Sequence, residues 1–201
     1  MRIIAGRLKG RRLQTPTWGG LRPTSDKLRE TLFNILAPRI EGARVLDGYA
    51  GTGAVGIEAL SRGAAHVTFV EHDRRAARLI AANLAACGVE GDYTTGAGEL
   101  VRIDTGDLVS VVQRYDDRFD LVWLDPPYQL TNIRDALDAV ARVLQPDGLV
   151  VLERATRQQP DMPPSLQRTR DVKSGDSTLT FFTRAGGGPD AVAPAPQAPD
   201  R

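Results

Sequence analysis

Val45-Leu46-Asp47-Gly48-Tyr49-Ala50-Gly51-Thr52-Gly53-Ala54-Val55-Gly56 is the stretch that decides the fold. It opens on a short apolar strand, places an acid at the strand end, and runs through a glycine-rich turn into a short helix that continues to Leu60. Gly51, Gly53 and Gly56 fit the spacing G-x-G-x-x-G, which on its own is a weak signal. Glycines after a strand let the chain turn tightly and approach a ligand closely.

Two acids narrow the ligand. Asp47 precedes the first matching glycine by four residues, where its carboxylate would repel a pyrophosphate. It would instead attract a cation, directly or through water, and S-adenosylmethionine carries an ammonium and a sulfonium but no phosphate. Glu71 ends the next strand and can accept both ribose hydroxyls of an adenosine, a feature that dinucleotide enzymes share. A third acid, Asp107, follows the next strand and opens a helix. It suits an adenine amine and a plain N-cap equally well.

Outward from the turn the chain alternates strands and helices. His66–Val70 reads as a strand, Arg74–Ala86 as an Ala-rich helix ended by Gly88, Leu100–Ile103 as a weak strand and Leu108–Gln113 as a short helix. Asp120–Leu124 is continuously apolar apart from its first residue, as a strand covered on both faces should be. Ile133–Leu144 is an amphipathic helix and Gly148–Leu152 a strand. Residues 168–172 and 178–183 form a closing hairpin. The alternation predicts an open parallel α/β sheet with right-handed crossovers. Upstream, residues 2–14 read as a hairpin around Gly6 and Gly10. A helix begins at Thr24 or Ser25 and is expected to stop at Pro38. The predicted organisation is an N-terminal hairpin-and-helix extension over 1–40, an α/β domain over 41–184, and a disordered tail over 185–201 rich in Gly and Pro.

Asp125-Pro126-Pro127-Tyr128 follows the strand Asp120–Leu124, at the carboxyl end where open α/β sheets bind ligands. The prolines have fixed φ and no N–H, so they make a rigid ledge with free carbonyls. Tyr128 offers a flat face for a base. An exocyclic amine on an aromatic ring is a poor nucleophile because its lone pair is delocalised. The Asp125 carboxylate and Pro126 carbonyl would accept its hydrogens and draw that lone pair out of plane. The tetrad therefore specifies methyl transfer to a planar amine, by orientation and preorganised electrostatics.

Net charge is only +1, but residues 1–29 hold Arg2, Arg7, Lys9, Arg11, Arg12, Arg22, Lys27 and Arg29 against the single acid Asp26. Such a segment on a near-neutral chain is the footprint of a polyanion partner or a solvated basic face. The one cysteine, Cys87, excludes an intramolecular disulfide and a cysteine-based zinc site. No metal site is expected. No apolar h-region or membrane-length run is present, so the expected location is the cytoplasm. His66, His72 and Cys87 read as structural, and Trp18 as a cap on the hairpin.

The chain resembles the class I S-adenosylmethionine-dependent methyltransferases of the amino-methylating group, and more narrowly the bacterial 16S rRNA guanine-N2 methyltransferases. The resemblance rests on Arg2–Gly6, Gly10–Leu13, Val45–Gly63, Leu124–Tyr128 and above all Leu21–Leu36 (LRPTSDKLRETLFNIL), and it spans roughly residues 2–183. It implies a Rossmann-like, mostly parallel seven-stranded sheet with helices on both faces and an N-terminal extension. It implies S-adenosylmethionine contacts at Asp47, Gly51, Gly53, Glu71 and Asp107, catalysis at Asp125, Pro126, Pro127 and Tyr128, and S-adenosylhomocysteine as product. The substrate it implies is one guanine of 16S rRNA within a 30S particle or its precursor, acted on by a monomer. Arg2, Arg7, Lys9, Arg11 and Arg12 become a phosphate clamp, with Arg22, Lys27 and Arg29 near the site. There are departures: Gly48-Tyr49 stands where the family often has a larger residue and Phe, Thr52 where Ser is usual, and 89–106 matches poorly. The rivals are adenine-N6 or protein-amide methylation, which the tetrad also fits, an NAD-dependent dehydrogenase, and a non-catalytic RNA-binding assembly factor.

Overall fold

The computed structural model describes residues 1–19, 24–89, 100–116, 118–127 and 132–186. Arg22, Tyr128 and most of the expected 89–98 loop and 185–201 tail lie outside these residues. The described elements are α1 (Asp26–Ile40), β1 (Arg44–Gly48), α2 (Ala54–Ser61), β2 (His66–Glu71), α3 (Arg74–Ala86), β3 (Val101–Thr105), α4 (Leu108–Val112), β4 (Phe119–Leu124), α5 (Ile133–Arg142), β5 (Leu144–Ala155), β6 (Leu166–Ser174) and β7 (Ser177–Arg184).

The strands form one seven-stranded sheet in the order β3-β2-β1-β4-β5-β7-β6. The pairs from β3 through β5 are parallel, and β7 is antiparallel to both β5 and β6. This is the class I methyltransferase sheet that the sequence predicts. The order reverses between β1 and β4, which opens a crevice at their carboxyl ends. Two apolar layers cover the sheet. Val45, Val67, Phe69, Trp123 and Val151 pack with α1, α2 and α3 on one face. Leu46, Val70, Val122, Leu124 and Leu152 pack with α4 and α5 on the other. The one-residue alternation between the two sets is the pleat itself.

Helix starts follow the sequence. The Ser25 hydroxyl accepts the Leu28 N–H at 3.2 Å, Asp73 accepts Arg75 N–H at 2.7 Å, and Asp107 accepts Ser110 N–H at 3.0 Å. Pro38 does not stop α1, which runs two residues further. A proline so near the C-terminus removes one hydrogen bond and leaves almost no helix to disrupt, while Ile40 beyond it is buried in the core.

The N-terminal segment is a short hairpin, its arms joined by the hydrogen bonds Ile3 N–H to Arg11 O at 3.0 Å, Gly10 N–H to Ile3 O at 2.9 Å and Leu13 N–H to Met1 O at 3.1 Å. Arg2 and Arg12 form its antiparallel bridge. The N–H groups of Ile4 and Ala5 dock it on α2 through the Glu58 carboxylate at 2.8 and 3.0 Å, and that of Leu8 through the Ser61 hydroxyl at 2.9 Å. Ile3, Leu8 and Leu13 are buried in the same apolar layer as α1–α3. Asn83, fully buried on α3, accepts Gln14 N–H at 2.7 Å and donates to the carbonyls of Gln14 at 3.2 Å and Thr52 at 3.0 Å. The basic segment is thus tied to the glycine-rich turn by one side chain.

Candidate active site

The crevice is built from the ends of β1, β2 and β4. At its β1 side the chain leaves the strand through Tyr49, the one non-glycine with positive φ (70°) among the described residues. The N–H groups of Tyr49 and Ala50 both donate to the Val70 carbonyl, at 3.1 and 3.0 Å. Gly51 and Gly53 take φ of 57° and 75°, a conformation that costs other residues strain. Gly56 has another purpose: a Cβ there would lie 2.2 Å from the Phe69 ring, so its bareness lets α2 pack onto β2.

The acids occupy the donors a pyrophosphate would need. Gly51 N–H donates to Glu71 Oε2 at 2.8 Å, Gly56 N–H to Asp47 Oδ2 at 2.9 Å, and Gly53 N–H to the Ala50 carbonyl at 2.7 Å. A phosphate on this turn would meet two carboxylates instead of free N–H groups, whereas a cationic cofactor suits them. Glu71 also accepts Asp73 N–H at 2.9 Å and lies 3.1 Å from His72 Nδ1. Each oxygen of a carboxylate accepts more than one hydrogen bond, so ribose hydroxyls remain within its capacity.

Asp47 is 1% exposed. Its burial, and secondarily the nearby Glu71 charge, push its carboxyl up to about 7 against the pull of the Gly56 N–H. Asp47 holds the first turn of α2 from beneath, through the Gly56 N–H. Asp107 is exposed and caps α4. Beside it, burial first and the Asp107 charge second push the Tyr49 phenol up to about 12.

On the β4 side, Asp125 and Pro126 are half-buried and Pro127 is exposed. Thr24, just before α1, donates its hydroxyl to Asp125 Oδ2 at 3.3 Å. The ledge borders a cavity of about 360 Å³ that Glu153, Arg154 and Gln158 also line.

Of the predicted basic contacts, Arg2, Arg7, Lys9, Arg11, Arg12 and Lys27 are exposed. Arg29 is not: its side chain is fully buried, donates to Asp26 at 2.7 Å and to the Arg2 carbonyl at 2.9 Å, and lies 3.7 Å from Glu58. It is a strut between α1, α2 and the N-terminal segment, which corrects its reading as a phosphate contact. Breaking such a buried pair costs about 3–5 kcal/mol. Trp18 packs under the Arg75 guanidinium, 5.2 Å from its ring centre. Among the described residues no group of His, Cys, Asp or Glu is arranged to hold a metal, and no helix is long and apolar enough to cross a membrane. Sequence reasoning missed Thr24, Glu58, Asn83 and Glu153. Their partners lie tens of residues away, so no local pattern marks them.

Sheet order, glycine turn and strand-end ledge together define a class I methyltransferase fold with its crevice intact. The family described as Conserved hypothetical protein 95 matches residues 1–183. Ribosomal RNA small subunit methyltransferase D of Escherichia coli K12 is 40% identical over 148 residues, 74% of this chain and 68% of that protein. Its Haemophilus influenzae namesake is 37% identical over 155 residues, 76% and 78% of the two chains. The solved structure of yhhF from Escherichia coli superposes with a TM-score of 0.76 at 34% identity, covering 92% of this chain and 97% of that one. The chain belongs to this family, that of the small-subunit rRNA methyltransferase D proteins.

Proposed function

We propose that the protein transfers a methyl group from S-adenosylmethionine to the exocyclic N2 amine of one guanine in 16S rRNA, within the 30S subunit or its precursor. The observation that carries the chemistry is the Asp125-Pro126 ledge at the carboxyl end of β4, with Asp125 oriented by Thr24. The two rRNA methyltransferase relatives support the polymer. The exposed Arg2, Arg7, Lys9, Arg11, Arg12 and Lys27 support it physically, as a phosphate-binding surface joined through Asn83 to the glycine turn. Arg22, in the stretch most specific to the family, is a further RNA contact that the resemblance implies near the site.

The residues fit S-adenosylmethionine, which supplies an electrophilic methyl on a sulfonium. Glu71 receives the ribose hydroxyls, the turn at Gly51 and Gly53 admits the amino-acid end, and the buried Asp47 charge favours its cations. Asp107 remains a candidate for the adenine amine beside its capping bonds. Asp125 and the Pro126 carbonyl accept the hydrogens of the target amine, while Tyr128 stacks on the base. When bound, S-adenosylmethionine would supply the methyl to the nitrogen lone pair, the S–C electron pair staying on sulfur in the product S-adenosylhomocysteine. The surplus proton passes to Asp125 or to solvent.

Asp125→Ala tests this. Transfer to 30S subunits is expected to fall about 100- to 1000-fold, the range for losing one preorganised hydrogen-bonding group. S-adenosylhomocysteine and RNA affinities should stay at wild-type values. Normal turnover in that variant would contradict the mechanism.

A further inference from the structure

Uncompensated positive charge does not end with the N-terminal segment. α3 holds three arginines, Arg74, Arg75 and Arg78, and no acid. All three are exposed. Arg75 is committed: it donates to both oxygens of Asp73, at 3.3 and 2.9 Å, and lies over the Trp18 ring. Arg74 and Arg78 make no ion pair with any described residue, unlike the exposed Arg134 and Arg168, which are paired with acids. Four positions apart, they share the outer face of the helix. The N-terminal segment lies along this helix. Trp18 meets Arg75 in its first turn, and Asn83 further on binds both the N–H and the carbonyl of Gln14. At the C-cap, burial pushes the Cys87 thiol up and the nearby Arg11 charge opposes the rise. Residues 11–18 therefore run antiparallel to α3. The helix rises about 18 Å from Arg75 to Cys87, within the reach of about 23 Å of an extended chain from Arg11 to Trp18. The exposed Arg11 and Arg12 and the exposed Arg74 and Arg78 thus form adjoining strips, which lead to the end of β2 where the crevice opens.

We propose that α3 is part of the RNA-docking surface, with Arg74 and Arg78 holding backbone phosphates of the 16S rRNA beside those held by Arg11 and Arg12. The proposal rests on the rRNA reading above and extends it to an element outside the basic run of residues 1–29. Like cations four apart on a helix repel each other, and no acid on α3 offsets them. A polyanion supplies the missing charge, and a guanidinium matches phosphate oxygens with paired hydrogen bonds. Such contacts read no base; they fix the register of the strand. The RNA is thus gripped on the cofactor half of the crevice while the reaction takes place at the ledge after β4. Trp18 and Asn83 share a task in this arrangement: they pin the N-terminal segment to α3, so the two strips keep one spacing.

The test is the affinity for 30S subunits, measured by filter binding over a salt series with S-adenosylhomocysteine present. Each lost phosphate contact lowers the slope of log affinity against log salt by about 0.7–0.9. The double variant Arg74→Gln with Arg78→Gln should therefore lose about 1.4–1.8 of slope and bind about 10- to 100-fold more weakly at about 50 mM salt. Its S-adenosylhomocysteine affinity should match the wild type. Arg74→Lys with Arg78→Lys keeps both charges and should keep the slope. Arg142→Gln, which removes an exposed arginine from the last turn of α5, should change nothing. A full slope in the glutamine double variant overturns the proposal. So does an equal loss in the lysine double variant or in Arg142→Gln, or a loss of S-adenosylhomocysteine affinity in the glutamine variant. The rRNA reading fails separately. In that case Arg11→Gln with Arg12→Gln also leaves the slope unchanged, or the wild type itself shows no salt-dependent affinity for the subunit.

Discussion

The two sides of the strand-end crevice are held in different ways. At β1 and β2, Asp47 and Glu71 are buried and bound by backbone N–H groups of Gly56, Gly51 and Asp73. Every partner lies within about one βαβ unit of sequence. At β4 and β5, Asp125 and Glu153 are bound by side-chain hydroxyls of Thr24 and Ser177, which come from the two ends of the chain. Backbone donors are fixed once the turn forms, so the cofactor side is preorganised by local folding. The substrate side is assembled only when the segment before α1 and the β6–β7 hairpin have docked. This division suits the proposed reaction, in which one side would hold a small cofactor and the other a base of an RNA.

Removing an acid from each side should therefore give opposite signatures. Asp125→Ala is a rate defect with normal cofactor affinity. Glu71→Ala should be the reverse, because it strips the ribose acceptor and frees the Gly51 and Asp73 N–H groups. Hydrogen bonds to a charged group are worth about 1.5–3 kcal/mol, so S-adenosylhomocysteine should bind at least about tenfold more weakly by calorimetry. Transfer at saturating cofactor should fall much less. Equal losses in both quantities for both variants would erase the distinction between the sides.

A smaller effect sharpens the first half of the comparison. The Asp47 carboxyl is raised by burial from 3.8 to about 7. A raised acid makes the folded protein hold its proton longer than the unfolded chain does. Its share of stability is therefore full below the unfolded value and is lost as pH climbs towards 7. Asp47→Asn keeps an acceptor for the Gly56 N–H and has no proton to lose. Its melting temperature relative to wild type should rise between about pH 4 and 7 and level off above, the total gain being a few kcal/mol at most. A difference that does not vary with pH would mean that Asp47 is not buried as described.

The same division explains what the sequence made legible. Asp47, the glycines and Glu71 sit in one continuous pattern, and the structure places all of them around one turn. Asp125 and Pro126 were equally plain, because a ledge after an apolar strand is a local signal. The Thr24 contact to Asp125 was not, since it joins residues far apart in the chain, which no local pattern reveals. Arg29 misled for the converse reason. It stands in a run of exposed cations, yet it lies on the same helix face as Leu32, Phe33 and Leu36 and meets Glu58 from another helix. The hairpin around Gly6 and Gly10 was legible and is hydrogen-bonded between its arms, but its docking was not, because the Ile4, Ala5 and Leu8 N–H groups go to Glu58 and Ser61 on α2. Pro38 was overread because a proline one turn from a helix end costs little.

The most direct test of the central claim is transfer of labelled methyl from S-adenosylmethionine onto 30S subunits, protein-free 16S rRNA and duplex DNA side by side, followed by nucleoside analysis and mapping. The account predicts label in 16S rRNA as N2-methylguanine at a single nucleotide, strongest on the subunit. Label in adenine or in DNA, or no label on any of the three, would contradict it.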